Sequence, residues 1–150
     1  MSEPTLAQTL QIVVDAFVRK RVTSACLVAS GIVANRMGRG EVVEGYQIED
    51  SLKRYGRHYW YRLDGVDYDI GTPICRRVVR LARPDAVWWV EGRTIRLSTQ
   101  RPEGYTYWCD GDAEDRAQVK ELESAFATYT TAPKKFWARS PRWMRELLRN

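Results

Sequence analysis

The pair Asp64-Gly65, flanked by the alternating stretches His58 to Leu63 and Val66 to Ile70, constrains this chain more than any other feature. An Asp-Gly pair between two such stretches specifies a two-residue hairpin turn, because both turn positions must take positive φ. That turn sets the register: Leu63 pairs with Val66, Arg62 with Asp67, Tyr61 with Tyr68 and Trp60 with Asp69. Opposed residues share a sheet face and alternate residues return to it, so His58, Trp60, Arg62, Asp67 and Asp69 project from one side. Asp67 becomes the cross-strand ion partner of Arg62. His58 and Asp69 become diagonal neighbours, within hydrogen-bond reach through an imidazole.

Helical spacing surrounds this strand pattern. Thr5 to Lys20 places Leu6, Leu10, Val13, Val14, Phe17 and Val18 on one face, with Thr5 able to cap the start. Thr23 and Ser24 are suited to cap a second helix, from about Ala25 to Met37, closed by Gly38 and Gly40. The period then changes to two: a strand over Glu41 to Ile48, interrupted near Gly45, precedes the hairpin. Ala86 to Val90 and Thr94 to Leu97 read as a second hairpin around Glu91-Gly92-Arg93, and Tyr105 to Cys109 as a last strand. Asp112 to Tyr129 returns to helical spacing, and Ser140-Pro141 opens a short terminal helix with Trp143, Met144, Leu147 and Leu148. The expectation is an α+β fold, with N-terminal helices packed on an antiparallel sheet and C-terminal helices covering another surface or edge.

A length of 150 residues with 44% hydrophobic side chains suits one domain, residues 1 to 150, and six Trp, eight Tyr and three Phe exclude general disorder. No apolar run approaches the roughly 20 residues that span a bilayer, and Met1-Ser2-Glu3-Pro4 does not start like a secretion signal, so a cytoplasmic location without membrane association is expected. Cys26, Cys75 and Cys109 form no close pair and have one histidine to join them, which argues against a disulfide framework and a zinc site. Cys75 and Cys109 are expected to pack. Gly38-Arg39-Gly40 lacks the following Lys-Ser/Thr of a phosphate loop, so neither metal nor cofactor is expected.

The net charge of +5 is uneven. Lys134, Lys135, Arg139, Arg142, Arg145 and Arg149 crowd the C-terminus against Glu146 alone, and Arg76, Arg77, Arg80 and Arg83 form a second basic stretch. Such clusters attract nucleic acid or an acidic protein by releasing counterions, although a basic face on a small domain more often serves solubility. Phe136, Trp137 and Trp143 among those charges could stack on bases, but their spacing fits better the docking of a terminal helix on the core.

Cys26 falls in the first turn of the second helix, where unpaired N–H groups and the helix dipole favour an anion, a position that suits a nucleophile. A thiol nucleophile needs a base, and the base needs a third group to fix its orientation. His58 is the lone histidine, and the hairpin supplies Asp69. Cys26 at a helix start, the loop Gly38-Arg39-Gly40, the strand containing Glu44-Gly45-Tyr46, and His58-Tyr59-Trp60 followed by Asp64-Gly65-Val66-Asp67-Tyr68-Asp69 together resemble the transglutaminase-like members of the papain-like cysteine hydrolases. Those proteins share the order Cys, His, Asp, and the resemblance covers roughly residues 20 to 72. It implies a nucleophile-bearing helix on an antiparallel sheet, with Cys26 as nucleophile, His58 as general base and acid, and Asp69 as orienting residue. Trp60, on the His58 face, would wall a substrate cleft. The expected activity is thiol attack on a peptide, isopeptide or glutamine amide of a protein or peptide substrate. The alternative is a binding module on an inactivated hydrolase scaffold, engaging nucleic acid or an acidic protein through its basic patches.

Overall fold

The first helix, α1 (Leu6–Arg19), opens on a reciprocal cap. The Gln8 backbone N–H donates to Thr5 Oγ1 at 3.1 Å and the Thr5 N–H to Gln8 Oε1 at 3.0 Å, satisfying two donors that would otherwise lack partners at a helix start. The computed structural model describes residues 5–22, 25–71, 87–90, 93–108, 113–131 and 141–148. Outside them fall Thr23, Ser24, Cys75, Cys109, Arg76, Arg77, Arg80, Arg83, Glu91, Gly92, Lys134, Lys135, Phe136, Trp137, Arg139 and Arg149.

Helix α1 buries Leu10, Val13, Val14 and Phe17, and α2 (Cys26–Met37) buries Val28, Ala29, Ile32 and Val33. These faces pack together because their apolar residues recur at helical spacing. Gly38 ends α2 in the left-handed region at φ 68°, its N–H donating to the Ala34 carbonyl, as the glycine-rich loop predicts.

Among the described residues six strands form one sheet, in the order β3-β2-β1-β5-β4 with β6 also on β2. They are β1 (Glu41–Glu49), β2 (Arg54–Leu63), β3 (Val66–Tyr68), β4 (Val87–Val90), β5 (Arg93–Ser98) and β6 (Thr106–Tyr107). The hairpin register is the expected one: Leu63 opposes Val66, Arg62 opposes Asp67 and Tyr61 opposes Tyr68. Asp64 and Gly65 take φ of 51° and 76°, the positive pair that a tight primed turn requires. Arg62 Nε donates to Asp67 Oδ1 at 2.6 Å across the two strands.

The strands differ from the sequence expectation in five places. β1 runs through Gly45 without interruption, because a glycine there is a packing device: a Cβ would sit 2.5 Å from the Trp60 ring and 2.6 Å from the Ser98 carbonyl oxygen. β2 begins four residues before His58, at Arg54, and β3 stops at Tyr68 rather than Ile70. Arg93 pairs with Val90 as a strand residue, not a turn residue. β6 is shorter than expected and joins β2 in parallel, Arg54 opposing Thr106 and Tyr55 opposing Tyr107, the single parallel pairing among the described strands.

Two C-terminal helices follow, α3 (Ala113–Thr131) and α4 (Arg142–Leu147). Leu122 of α3 is buried, and the Phe126 ring lies so close to Gly31 of α2 that a Cβ there would be 2.6 Å from it. Met144, Leu147 and Leu148 join the core that holds α1, α2, Tyr61 and Leu63. Trp143 meets Phe17 edge to face at 5.2 Å, the docking role its spacing favours. The architecture is α+β, with helices on an antiparallel sheet. No helix among the described residues is long and apolar enough to cross a membrane.

Candidate active site

Cys26 is the first residue of α2, and the cap position before it is Ala25, which offers no side chain to the helix start. The buried Val28, Ala29, Ile32 and Val33 seat this helix in the core and hold its N-terminus in place. Cys26 itself is a free, half-buried thiol.

The hairpin brings His58 and Asp69 together. His58 Nε2 lies 2.9 Å from Asp69 Oδ1, with the imidazole 5% exposed and Asp69 fully buried. That is the diagonal relation the two-residue turn predicts, reached just beyond the last ladder pair of β3. Nε2 engaged by a carboxylate leaves Nδ1 as the ring nitrogen for another partner. The Cys26 side chain lies beside the same ring, close enough for its charge to act on the imidazole. Cys26 reaches the ring past Gly71, which follows β3 at the sheet edge. A Cβ on Gly71 would stand 2.6 Å from Cys26 Cβ and 2.7 Å from His58 Cε1.

Burial alone would lower the His58 pKa and is the largest single influence on it, but the charges of Asp69 and Cys26, with their hydrogen bonds, outweigh it and raise the pKa to about 10. The linkage has a definite sign. A folded pKa above the unfolded value near 6.5 gives stabilisation that is complete below pH 6.5 and lost as pH rises toward 10. We expect wild-type stability to fall across that window by an amount on the order of a few kcal/mol, and the His58→Gln protein to show a shallower fall. Urea midpoints at intervals from pH 6 to pH 10 measure the difference.

Trp60 is 1% exposed. Its ring lies beside His58, 6.4 Å between centroids and inclined by 27°, and fits into the space at Gly45. It meets the imidazole rather than solvent and holds the ring in position. Of the basic residues singled out in the sequence, Arg142 pairs with Glu146 at 2.9 Å one turn along α4, and Arg145 is half-buried.

Two features of the site escape sequence reasoning. Gly71 has only a weak signal, a glycine two residues after the orienting acid. The second is a shallow groove lined by Gln47, Glu49, Arg54, Tyr55, Gly56, Ile95 and Trp108. It needs β5 and the segment around Trp108 folded against β1 and β2. Among the described residues no three His, Cys, Asp or Glu side chains are grouped to hold a metal ion.

No protein-family model, curated protein or solved structure matches this chain.

Proposed function

We propose that this protein is a thiol-dependent hydrolase or acyltransferase acting on an amide of a protein or peptide through Cys26, His58 and Asp69, on a transglutaminase-like variant of the papain-like core. The observation that carries this reading is the buried 2.9 Å contact between His58 and Asp69, with Cys26 beside the same imidazole across Gly71. A structural histidine needs no buried carboxylate on one nitrogen and a half-buried thiol beside the ring, whereas a nucleophile, its base and its orienting group need to be brought together in this way.

In the reaction, Cys26 sulfur attacks the carbonyl carbon and forms the S–C bond, and the tetrahedral intermediate collapses with cleavage of the C–N bond. The imidazolium gives its proton to the departing amine. Water, activated by the neutral imidazole, then cleaves the thioester and regenerates the thiol; an amine in place of water gives transfer. The Cys26 backbone N–H, at the first position of α2, is one donor for the oxyanion. A cytoplasmic setting would keep the thiol reduced.

Alkylation tests the reading. An imidazolium beside sulfur favours thiolate, so iodoacetamide at pH 6 should modify Cys26 at least about tenfold faster than a free thiol of ordinary pKa near 8.5, and His58→Ala should abolish the excess. Peptide mapping assigns the modified cysteine. Equal rates in the wild type and His58→Ala would refute the catalytic assignment.

A further inference from the structure

The opposed pairs Gly45 with His58, Gln47 with Gly56, and Glu49 with Arg54 follow one another at two-residue intervals along β1 and β2. They therefore share one face of the sheet, and the groove of Gln47, Glu49, Arg54, Gly56, Ile95 and Trp108 continues the face that carries the imidazole. Arg54 lies four residues from His58, or about 13 Å at the usual rise of a strand.

Arg54 differs from Arg62 and Arg96 of the same sheet. Arg62 gives Nε and Nη2 to Asp67 at 2.6 and 3.3 Å, and Arg96 gives Nε and Nη2 to Asp50 at 2.7 and 3.1 Å, so each fork is closed by one carboxylate. Arg54 meets Glu49 through Nε alone, at 2.8 Å, and among the described residues no acceptor hydrogen-bonds its two terminal NH2 groups. Its guanidinium is also fixed from one face, 4.1 Å from the centroid of the Trp108 ring. Trp108 is held there because its N–H donates to the Tyr55 carbonyl at 2.7 Å and its own carbonyl oxygen occupies the space a Cβ would take on Gly56. The result is an oriented fork whose terminal nitrogens meet no acceptor among the described residues, lining a groove on the sheet face of the imidazole.

We propose that this groove is a subsite for an acidic side chain of the substrate, whose carboxylate Arg54 grips through its terminal nitrogens about three or four residues from the bond under attack. The proposal rests on the Cys26, His58, Asp69 reading above. Two features select a carboxylate on a methylene stem. The planar guanidinium matches the two oxygens of a carboxylate, and Ile95 and Trp108 offer apolar walls to the stem.

The test uses the intact protein and peptides that carry an iodoacetyl group, a run of one to about four glycines, and a terminal Glu-amide or Gln-amide. Each probe forms an S–C bond with Cys26 and releases iodide, the thiol proton passing to His58 and then to solvent. At two or three glycines the Glu probe should react about tenfold faster than its Gln twin. Arg54→Lys, which keeps the charge but not the fork, and Arg54→Gln should both remove that advantage while leaving the iodoacetamide rate unchanged. A probe ending in glycine with a free C-terminal carboxylate distinguishes a chain terminus from a side chain as the source of the anion; its preference over the Glu-amide probe would overturn the side-chain assignment. Equal rates for Glu and Gln at every length, with His58-dependent iodoacetamide labelling intact, would overturn the subsite alone. A second readout is the Trp108 indole N–H resonance during titration with N-acetyl-Gly-Gly-Glu-amide, expected to shift in the wild type and not in Arg54→Gln. That shift without His58-dependent alkylation would overturn the groove's role as a substrate subsite.

Discussion

Asp69→Ala is expected to remove about 3–5 kcal/mol of folding stability, the usual result of taking one partner from a buried ion pair. Asp69 is fully buried and 2.9 Å from an imidazole that is itself 5% exposed, so an alanine leaves a protonated ring with neither water nor carboxylate. The ring can respond by losing its proton, since the Asp69 charge is among the main influences holding its pKa up. Destabilisation should therefore be greatest at pH 6 and smaller near pH 10, where the wild-type ring begins to lose its proton as well. Asp69→Asn separates stability from chemistry. The amide preserves shape and can keep one hydrogen bond to Nε2, so the stability loss should shrink to about 1–3 kcal/mol. It cannot balance an imidazolium, and by presenting its NH2 group it can select the wrong tautomer. Turnover of an amide substrate should fall by about a hundredfold to ten-thousandfold, and rapid iodoacetamide labelling of Cys26 should move to higher pH. Urea unfolding and labelling rates on the same protein preparations give both quantities. An Asp69→Asn protein that labels like the wild type across pH would remove Asp69 from the mechanism and leave it a structural ion partner.

The parts of the site that were legible in the sequence are those set by local backbone physics. Asp64-Gly65 admits few turns, a two-residue turn admits one register, and that register carries both the Arg62–Asp67 bridge and the placement of Asp69 on the His58 side. The Thr5 cap of α1 and the left-handed Gly38 are equally local. What sequence reasoning misjudged depends on distant segments. Gly45 reads as a break when seen along its own strand, but it is opposed to His58 and accommodates the ring of Trp60. The parallel pairing of β6 with β2 joins residues more than fifty positions apart in the chain, and neither strand's alternation encodes that partner. The open fork of Arg54 follows from this pairing: Trp108 reaches the guanidinium because Thr106 and Tyr107 lie alongside Arg54 and Tyr55. A basic residue followed by a glycine at Arg54-Tyr55-Gly56 gives no hint of that on its own.

Gly71→Ala is expected to disturb the thiol and the imidazole directly. Its Cβ would stand 2.6 Å from Cys26 Cβ, 2.7 Å from His58 Cε1 and 3.3 Å from His58 Nε2. None of these atoms is the free end of a flexible chain. Cys26 Cβ is tied to the first turn of α2, and the imidazole is held by Asp69 on one edge and flanked by Trp60. Relief requires either the α2 N-terminus or the imidazole to move, and each movement lengthens the sulfur-to-imidazole contact. The structural cost of such overpacking is typically about 1–3 kcal/mol, enough to lower the unfolding midpoint while leaving a folded protein. The chemical cost is larger in proportion, because a misplacement of about 1 Å between reacting groups can cost about a hundredfold. Gly71→Ala should thus lose most of the His58-dependent acceleration of Cys26 alkylation. Gly65→Ala is the control: no atom lies within 4 Å of its added Cβ, and its φ of 76° makes the change strained. It should cost about 1 kcal/mol of stability and leave the alkylation rate unchanged. If the two alanines were to slow alkylation equally in proportion to their loss of stability, Gly71 would have no particular role in positioning the thiol and imidazole. Loss confined to Gly71→Ala would mean that the bare backbone at that position lets the two meet.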